Sequence, residues 1–184
     1  MRKKLEIIVN SRWKMTNEVY MYLIKPLVLV YLRLKGVKIG KNSKFYGFPK
    51  IFRTRGSTIE IGNNFECRSW WYSNPIGINH PTIICTWGRG AKIKIGNDVG
   101  ISGGSIVASR EIIIGNNILV GANAVIIDSD FHPTKGKNKR YSRENVGEKP
   151  VKIGDNVFIG MNAIILKGAK VKNGSVVPAG GVIR

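Results

Sequence analysis

From Ile153 onward every sixth residue is aliphatic: Ile159, Ile165, Val171, Val177 and Ile183. Four residues after each of the first five stands a small or β-branched side chain, namely Val157, Ala163, Ala169, Ser175 and Gly181. An α-helix repeats at 3.6 residues and a flat strand at 2.0, so neither produces a strict six. A strand that turns a corner every six residues does. It points residues i and i+4 inward and leaves Lys, Asn, Asp and Gly for the corners and outer faces. Residues 151–184 therefore predict a parallel β-helix of hexapeptide coils.

The same rule runs back through the chain. IGNDVG and ISGGSI (95–106) are two hexads, and IGNNIL and VGANAV (114–125) are two more, followed by Ile126. IEIGNN at 59–64 and VKIGKNS at 37–43 read as earlier, less regular turns. Each coil buries its aliphatic column on the next, which makes a self-stacking solenoid. The 184 residues are enough for one such domain, all-β, over 37–184, preceded by a different segment at 1–36.

That first segment is basic and apolar. Residues 1–38 carry nine Lys and Arg against Glu6 and Glu18. The run VYMYLIKPLVLVYLRL at 19–34 is shorter than the roughly 20 residues that span a bilayer, and Lys25–Pro26 is expected to split it. No small-residue cleavage site follows it, so it does not read as a signal peptide. Two roles fit and are compatible. One is an interfacial segment on an anionic membrane, with Trp13, Tyr20, Tyr22 and Tyr31 at the boundary. The other is a helical cap over the open first coil. The whole chain has a formal charge of +19, which calls for an anionic partner. Cys67 and Cys85 form no disulfide framework or CxxC metal pattern, and read as reduced thiols of a cytoplasmic protein, peripheral at the inner membrane face if the segment docks there.

Two stretches interrupt the repeat. Residues 65–92 concentrate Trp70, Trp71, Tyr72 and Trp87 with Arg68, Asn74, Asn79 and His80. Exposed aromatics beside Asn and Arg suit a sugar ring; sealing a coil edge or a subunit contact is the structural alternative. No nucleic-acid motif accompanies them, so nucleic acid is not an expected partner. Residues 127–150, IDSDFHPTKGKNKRYSRENVGEKP, break the wall at a polar cluster, with a loop over 128–150 carrying Lys135, Lys137, Lys139, Arg140, Arg143 and Lys149. Loops this long inside a compact domain are usually functional or disordered. His132, fixed by Pro133 and preceded by Asp128 and Asp130, has the makings of a general base whose ring a carboxylate orients. With no second His at ligand spacing, no metal site is expected.

These pieces resemble the hexapeptide-repeat acyltransferases of left-handed β-helix fold. They are most similar to the maltose and galactoside O-acetyltransferases and the O-acetyltransferases of polysaccharide gene clusters. The resemblance rests on the hexads from Ile95 to Ile126, the DSDFHP turn with its protruding loop, and KPVKIGDNVFIG at 149–160 with the hexads after it. It covers roughly 95–184 and extends weakly back to 37. It implies a homotrimer, with active sites between adjacent subunits, that moves an acetyl group from acetyl-CoA to a hydroxyl of a saccharide. His132 matches the catalytic base, and neither cysteine is needed. Met161 matches an oxyanion position, Ala179 a contact to the pantetheine arm, and Arg184 a polar or basic cofactor contact. Gly160 and Gly180 would let the arm approach the backbone. Lys167, Lys170 and Lys172 lie outward where CoA phosphates could pass, and Ser102 is near the acceptor position.

Two departures stand out. The family adds a short basic tail after a hexad such as VPAGGV, whereas this sequence stops at Arg184. The insert bearing His80 is not found in this form in the small-sugar enzymes. His80 repeats the His-Pro pattern and is either an acceptor contact or a structural turn. With the basic N-terminus, the insert points toward a lipid-linked or nucleotide-linked precursor of a cell-surface polysaccharide. An N-acetyltransferase of a nucleotide sugar, an enzyme like serine O-acetyltransferase and a non-catalytic scaffold share the same fold signal. Two histidines are too few for the three-histidine zinc site of a carbonic anhydrase of this fold.

Overall fold

The structure is a computed structural model and describes residues 10–135 and 140–184. Residues 1–9 of the basic segment, and Lys137 and Lys139 of the loop, lie outside the described residues. Among the described residues helix α1 (Arg12–Leu34) comes first, followed by six three-stranded coils. The first coil is β1 (Lys38–Ile39), β2 (Lys44–Tyr46) and β3 (Lys50–Arg53). The second is β4 (Thr58–Ile61), β5 (Glu66–Arg68) and β6 (Ile83–Thr86), and the third β7 (Lys92–Ile95), β8 (Val99–Ser102) and β9 (Ser105–Ala108). The fourth is β10 (Glu111–Ile114), β11 (Ile118–Val120) and β12 (Val125–Ile127). The fifth is β13 (Val151–Ile153), β14 (Phe158–Ile159) and β15 (Ile164–Ile165), and the sixth β16 (Lys170–Val171), β17 (Val176–Val177) and β18 (Val182–Ile183). Strands three apart in sequence pair in parallel, giving three six-stranded sheets that form the faces of a prism. This is a left-handed parallel β-helix.

Register explains the period of six. The first sheet stacks Ile39, Ile61, Ile95, Ile114, Ile153 and Val171 in one inward column. The second stacks Phe45, Cys67, Ile101, Val120, Ile159 and Val177. The third stacks Ile51, Ile84, Ile106, Ile126, Ile165 and Ile183. Ile126, Ile159 and Ile165 are wholly buried, so each contributes about 1.5–3 kcal/mol by leaving water. Cys67 belongs to this core, and burial pushes its thiol up from 9.0 to about 11.

The IGNN and IGND motifs form the corner between the first and second sheets. Asn63, Asn97, Asn116, Asp155 and Asn173 each use Oδ1 to accept a backbone N–H of the preceding coil, from Lys41, Asn63, Asn97, Asn116 and Asp155, at 2.6–2.9 Å. Glycine precedes each of the first four acceptors because coils touch there: a Cβ on Gly62 would lie 2.5 Å from the Gly96 carbonyl oxygen. The residue after each of these four acceptors, such as Asn64 or Asn117, takes a positive φ near 55°, which a short polar side chain tolerates.

Helix α1 covers the first coil. Met21, Ile24, Val28 and Leu32 recur on one helical face and are buried, and Ile24, Val28 and Leu32 join the coil core. Polar contacts finish the closure. Tyr31 Oη accepts the Ile51 N–H at 3.1 Å, Arg53 Nε donates to the Lys35 carbonyl at 2.7 Å, and Tyr46 donates to Glu18 at 2.6 Å. The expected break at Pro26 does not occur, and the helix runs through it. Pro26 sits on the exposed side, where Tyr22, whose carbonyl loses its partner, is open to water. Buried residues on both sides of the proline outweigh its cost of about 3 kcal/mol.

The first interruption is narrower than the sequence suggests. Residues 66–68 and 83–86 are wall strands, and only 69–82 leave the coil. Arg68 Nη1 holds this insert by donating to the Ser73 carbonyl at 2.5 Å, and Tyr20 packs on Trp70 with centroids 4.5 Å apart.

Candidate active site

The candidate residues fall on two corners of the prism. His132, Asp130, Asp128, Lys167 and Arg184 follow strands of the third sheet, at the corner leading to the first. Trp71, Asn79, His80, Ser102, Gly160, Met161, Ala179 and Gly180 stand at or beside the corner between the second and third sheets. One sheet width, roughly 15 Å, separates the corners, so a single chain does not bring the two groups together.

At the His132 corner the loop leaves after β12 and returns to β13. Asp128 is fully buried at its root. Its Oδ1 accepts the Ser109 N–H at 2.6 Å, and its Oδ2 accepts those of Arg110 and Glu111 at 2.8 and 2.7 Å. Asp128 thus closes the corner of the neighbouring coil. The Asp130 N–H donates to the Gly147 carbonyl and the Lys149 N–H to the Asp128 carbonyl, both at 3.0 Å, closing the loop's neck. The Asp130 carboxylate pairs with Lys167 Nζ at 2.5 Å. Both carboxylates expected beside His132 are therefore engaged elsewhere. Among the described residues no side chain hydrogen-bonds to the His132 ring.

What positions His132 is the turn itself. Phe131 has φ +60°, rare for a bulky residue, and its N–H donates to Ser129 Oγ at 3.1 Å. The His132 N–H donates to the Asp130 carbonyl at 2.7 Å. The Phe131 ring meets Trp87 edge-on at 6.2 Å, and the Arg143 guanidinium lies over Trp87 at 5.6 Å. A left-handed phenylalanine persists only where its surroundings over-determine it, and such strain gathers at functional turns. Here it leaves His132 exposed at the corner.

Along the same corner runs a basic strip absent from the sequence reading. A cleft of about 400 Å³ is lined by Arg89, Lys92, Ser109, Arg110, Glu111 and Glu148, and a second holds Arg55 with Arg89. Arg55, Arg89 and Arg110 occupy the same corner in successive coils. The signal lay in RTRGSTIEI, GRGAKIKI and SREIIIG, where each arginine shortly precedes a first-sheet strand.

The other corner is built of small residues and open backbone. Gly160 is buried, and its missing Cβ would collide with Ala179 N and lie 2.7 Å from Ala179 Cα, so stacking of coils requires this glycine. Gly180, at φ +69°, has open space around it, and Ala179 is exposed. The Met161 N–H makes no backbone hydrogen bond among the described residues. Ser102 lines a cleft of about 310 Å³ with Glu66, Arg68 and Leu119. His80 Nδ1 donates to the Pro81 carbonyl at 2.8 Å, and Asn79 is exposed, its N–H bound to Asn123 Oδ1 at 2.8 Å. Trp71 is exposed and borders a cleft of about 420 Å³ with Trp13, Tyr72 and Ile76.

Comparison with curated proteins returned no match. Residues 150–184 match the family described as hexapeptide repeat of succinyl-transferase. Those residues are the last two coils, from the return of the loop through Gly160, Met161 and Ala179. The coils behind the His132 loop are thus similar to those of hexapeptide-repeat acyltransferases.

Proposed function

We propose that this protein is an acetyltransferase that moves an acetyl group from acetyl-CoA to a hydroxyl of a saccharide, a cell-surface polysaccharide precursor, with His132 as general base. The observation carrying this reading is the clamped Phe131 turn, which spends backbone strain to hold an imidazole in the open beside a basic cleft. The thioester supplies an activated acyl group. His132 takes the proton from the acceptor hydroxyl as that oxygen attacks, and returns it to the departing sulfur. The free N–H of Met161 suits the developing oxyanion. Arg184 and the arginine strip supply cations for an anionic nucleotide, Lys167 being held in its pair with Asp130, and the open corner at Ala179 and Gly180 suits a narrow arm.

The two-corner division supports assembly as a homotrimer. Rotation about an axis parallel to the direction in which the coils stack sets one corner of a protomer against a different corner of its neighbour, a heterologous contact that closes after three copies. His132 of one protomer would then face Met161, Ser102 and Asn79 of the next. The test is acetyl transfer from acetyl-CoA to polysaccharide precursors. His132→Ala should lower kcat/KM about 10²–10⁴-fold with the fold retained. A wild-type rate in that variant, or no binding of acetyl-CoA to the intact protein by calorimetry, would overturn the proposal.

A further inference from the structure

Helix α1 is apolar on two faces, and the coils use only one. Val19, Tyr22, Leu23, Leu27, Val30 and Leu34 recur at steps of three and four on the side away from the coil. They are open to solvent, Leu23 at 70% and Leu34 at 82%. A helix apolar all round is normally buried all round, so this second stripe calls for a covering surface.

Charge selects what covers it. The helix carries Arg12, Lys14, Lys25 and Arg33 and a single acid, Glu18, which accepts the Tyr46 hydroxyl on the inner side. The outer side therefore presents apolar side chains with Arg12 and Arg33 exposed among them, while Lys25, seven residues from Glu18, lies half-buried along the same edge as that acid. A second copy of this stripe would set its own Arg12 and Arg33 against these two, whereas an anionic surface would be attracted. The insert adds Trp71 and Ile76, both exposed, at the cleft they share with Trp13 of the first helical turn. Aromatic rings with one wet edge favour the level of lipid headgroups. No helix among the described residues is long and apolar enough to cross a membrane. We infer that the outer face of α1, extended by Trp71 and Ile76, docks flat on a membrane of anionic phospholipid, apolar residues at the acyl boundary and Arg12, Lys25 and Arg33 at the headgroups. This inference does not rest on the acyl-transfer reading.

The test is co-sedimentation of the intact protein with extruded vesicles of phosphatidylcholine alone, or of phosphatidylcholine with phosphatidylglycerol at about 7:3, a mixture chosen for its negative surface potential. Binding should be at least about tenfold stronger to the anionic vesicles and weaken in high salt. Leu23→Glu/Leu27→Glu should abolish it while circular dichroism and sedimentation velocity stay unchanged, because both side chains are exposed. Lys25→Glu/Arg33→Glu, which keeps the apolar stripe, should lose the preference for anionic vesicles. Tryptophan fluorescence should be quenched by brominated acyl chains in the bound protein. Equal binding to both vesicles, binding that survives the Leu23/Leu27 pair, or no quenching would overturn the inference. So would a Leu23/Leu27 variant that dissociates an oligomer and still binds vesicles, since a second copy then covers the stripe. Should that pair fail to fold, the Lys25/Arg33 pair and the quenching decide.

Discussion

Removing the Asp128 carboxylate should unlatch the loop's root and the coil beside it. In Asp128→Ala three N–H groups lose their acceptor, those of Ser109, Arg110 and Glu111. Ser109 is buried, so its N–H is stranded, at about 1.5–3 kcal/mol for a bond to a charged acceptor. The other two lie nearer the surface, where water replaces part of the loss, and cost about 1 kcal/mol each. The total is about 4 kcal/mol. Asp128→Asn can keep its oxygen on Arg110 and Glu111 and turn its amide toward Ser109, which limits the loss to about 2 kcal/mol. Urea unfolding followed by tryptophan fluorescence measures both, with Trp87 reporting from this corner and Trp13, Trp70 and Trp71 from the α1 end. A loss below about 1 kcal/mol in the alanine variant would refute the latch. So would an asparagine variant as damaged as the alanine one.

Three further outcomes follow from the same geometry. Gly160→Ala drives a Cβ into the Ala179 backbone and should cost about 1–3 kcal/mol as the last coils part, whereas Gly180→Ala meets open space and costs only the left-handed strain, about 1 kcal/mol. Equal thermal shifts for the two would contradict the stacking account. Burial raises the Cys67 thiol from 9.0 to about 11, so the folded state holds that proton more tightly than the unfolded chain. Its contribution is complete below pH 9 and is lost as pH rises through about 11; between those limits wild type should lose about 2–3 kcal/mol more than Cys67→Ala, and parallel curves would refute this. Lys167→Met removes the partner of Asp130, and the loop's neck should exchange its amide protons faster at Asp130 and Lys149 while the coil amides stay protected; unchanged exchange would show that the backbone bonds suffice.

The wall was legible because its geometry repeats. A column such as Ile106, Ile126 and Ile165 obeys one spacing rule, and IGND states both the close approach and the left-handed corner. The earlier coils were harder to bound. In ECR the inward position holds a cysteine, in IICT a cysteine follows the inward Ile84, and aromatics crowd nearby, so the insert read as 65–92 although it spans only 69–82. Pro26 misled because a local rule was overridden by burial on both sides of it. At the site, His132 and its loop stood out, but the work of the carboxylates did not. Asp128 and Asp130 precede His132 in sequence, yet their partners, Ser109 and Lys167, come from the coils before and after. The arginine strip escaped for the same reason, since Arg55, Arg89 and Arg110 become neighbours only when coils stack.

The parallel stacking of coils also makes this protein a ruler. Inserts such as 69–82 and 128–150 leave at corners and add nothing along the axis, because the strands on either side still pair in register. Height is counted in coils alone. The root of the His132 loop, in the fourth coil, stands three strand spacings of about 4.8 Å from the first coil beneath α1, roughly 14 Å. The height of that root takes only graduated values: splicing out one whole coil would lower it by one step, and no change of loop length would move it at all. If α1 rests on lipid, the reach of the reactive group above the bilayer is written in the number of turns.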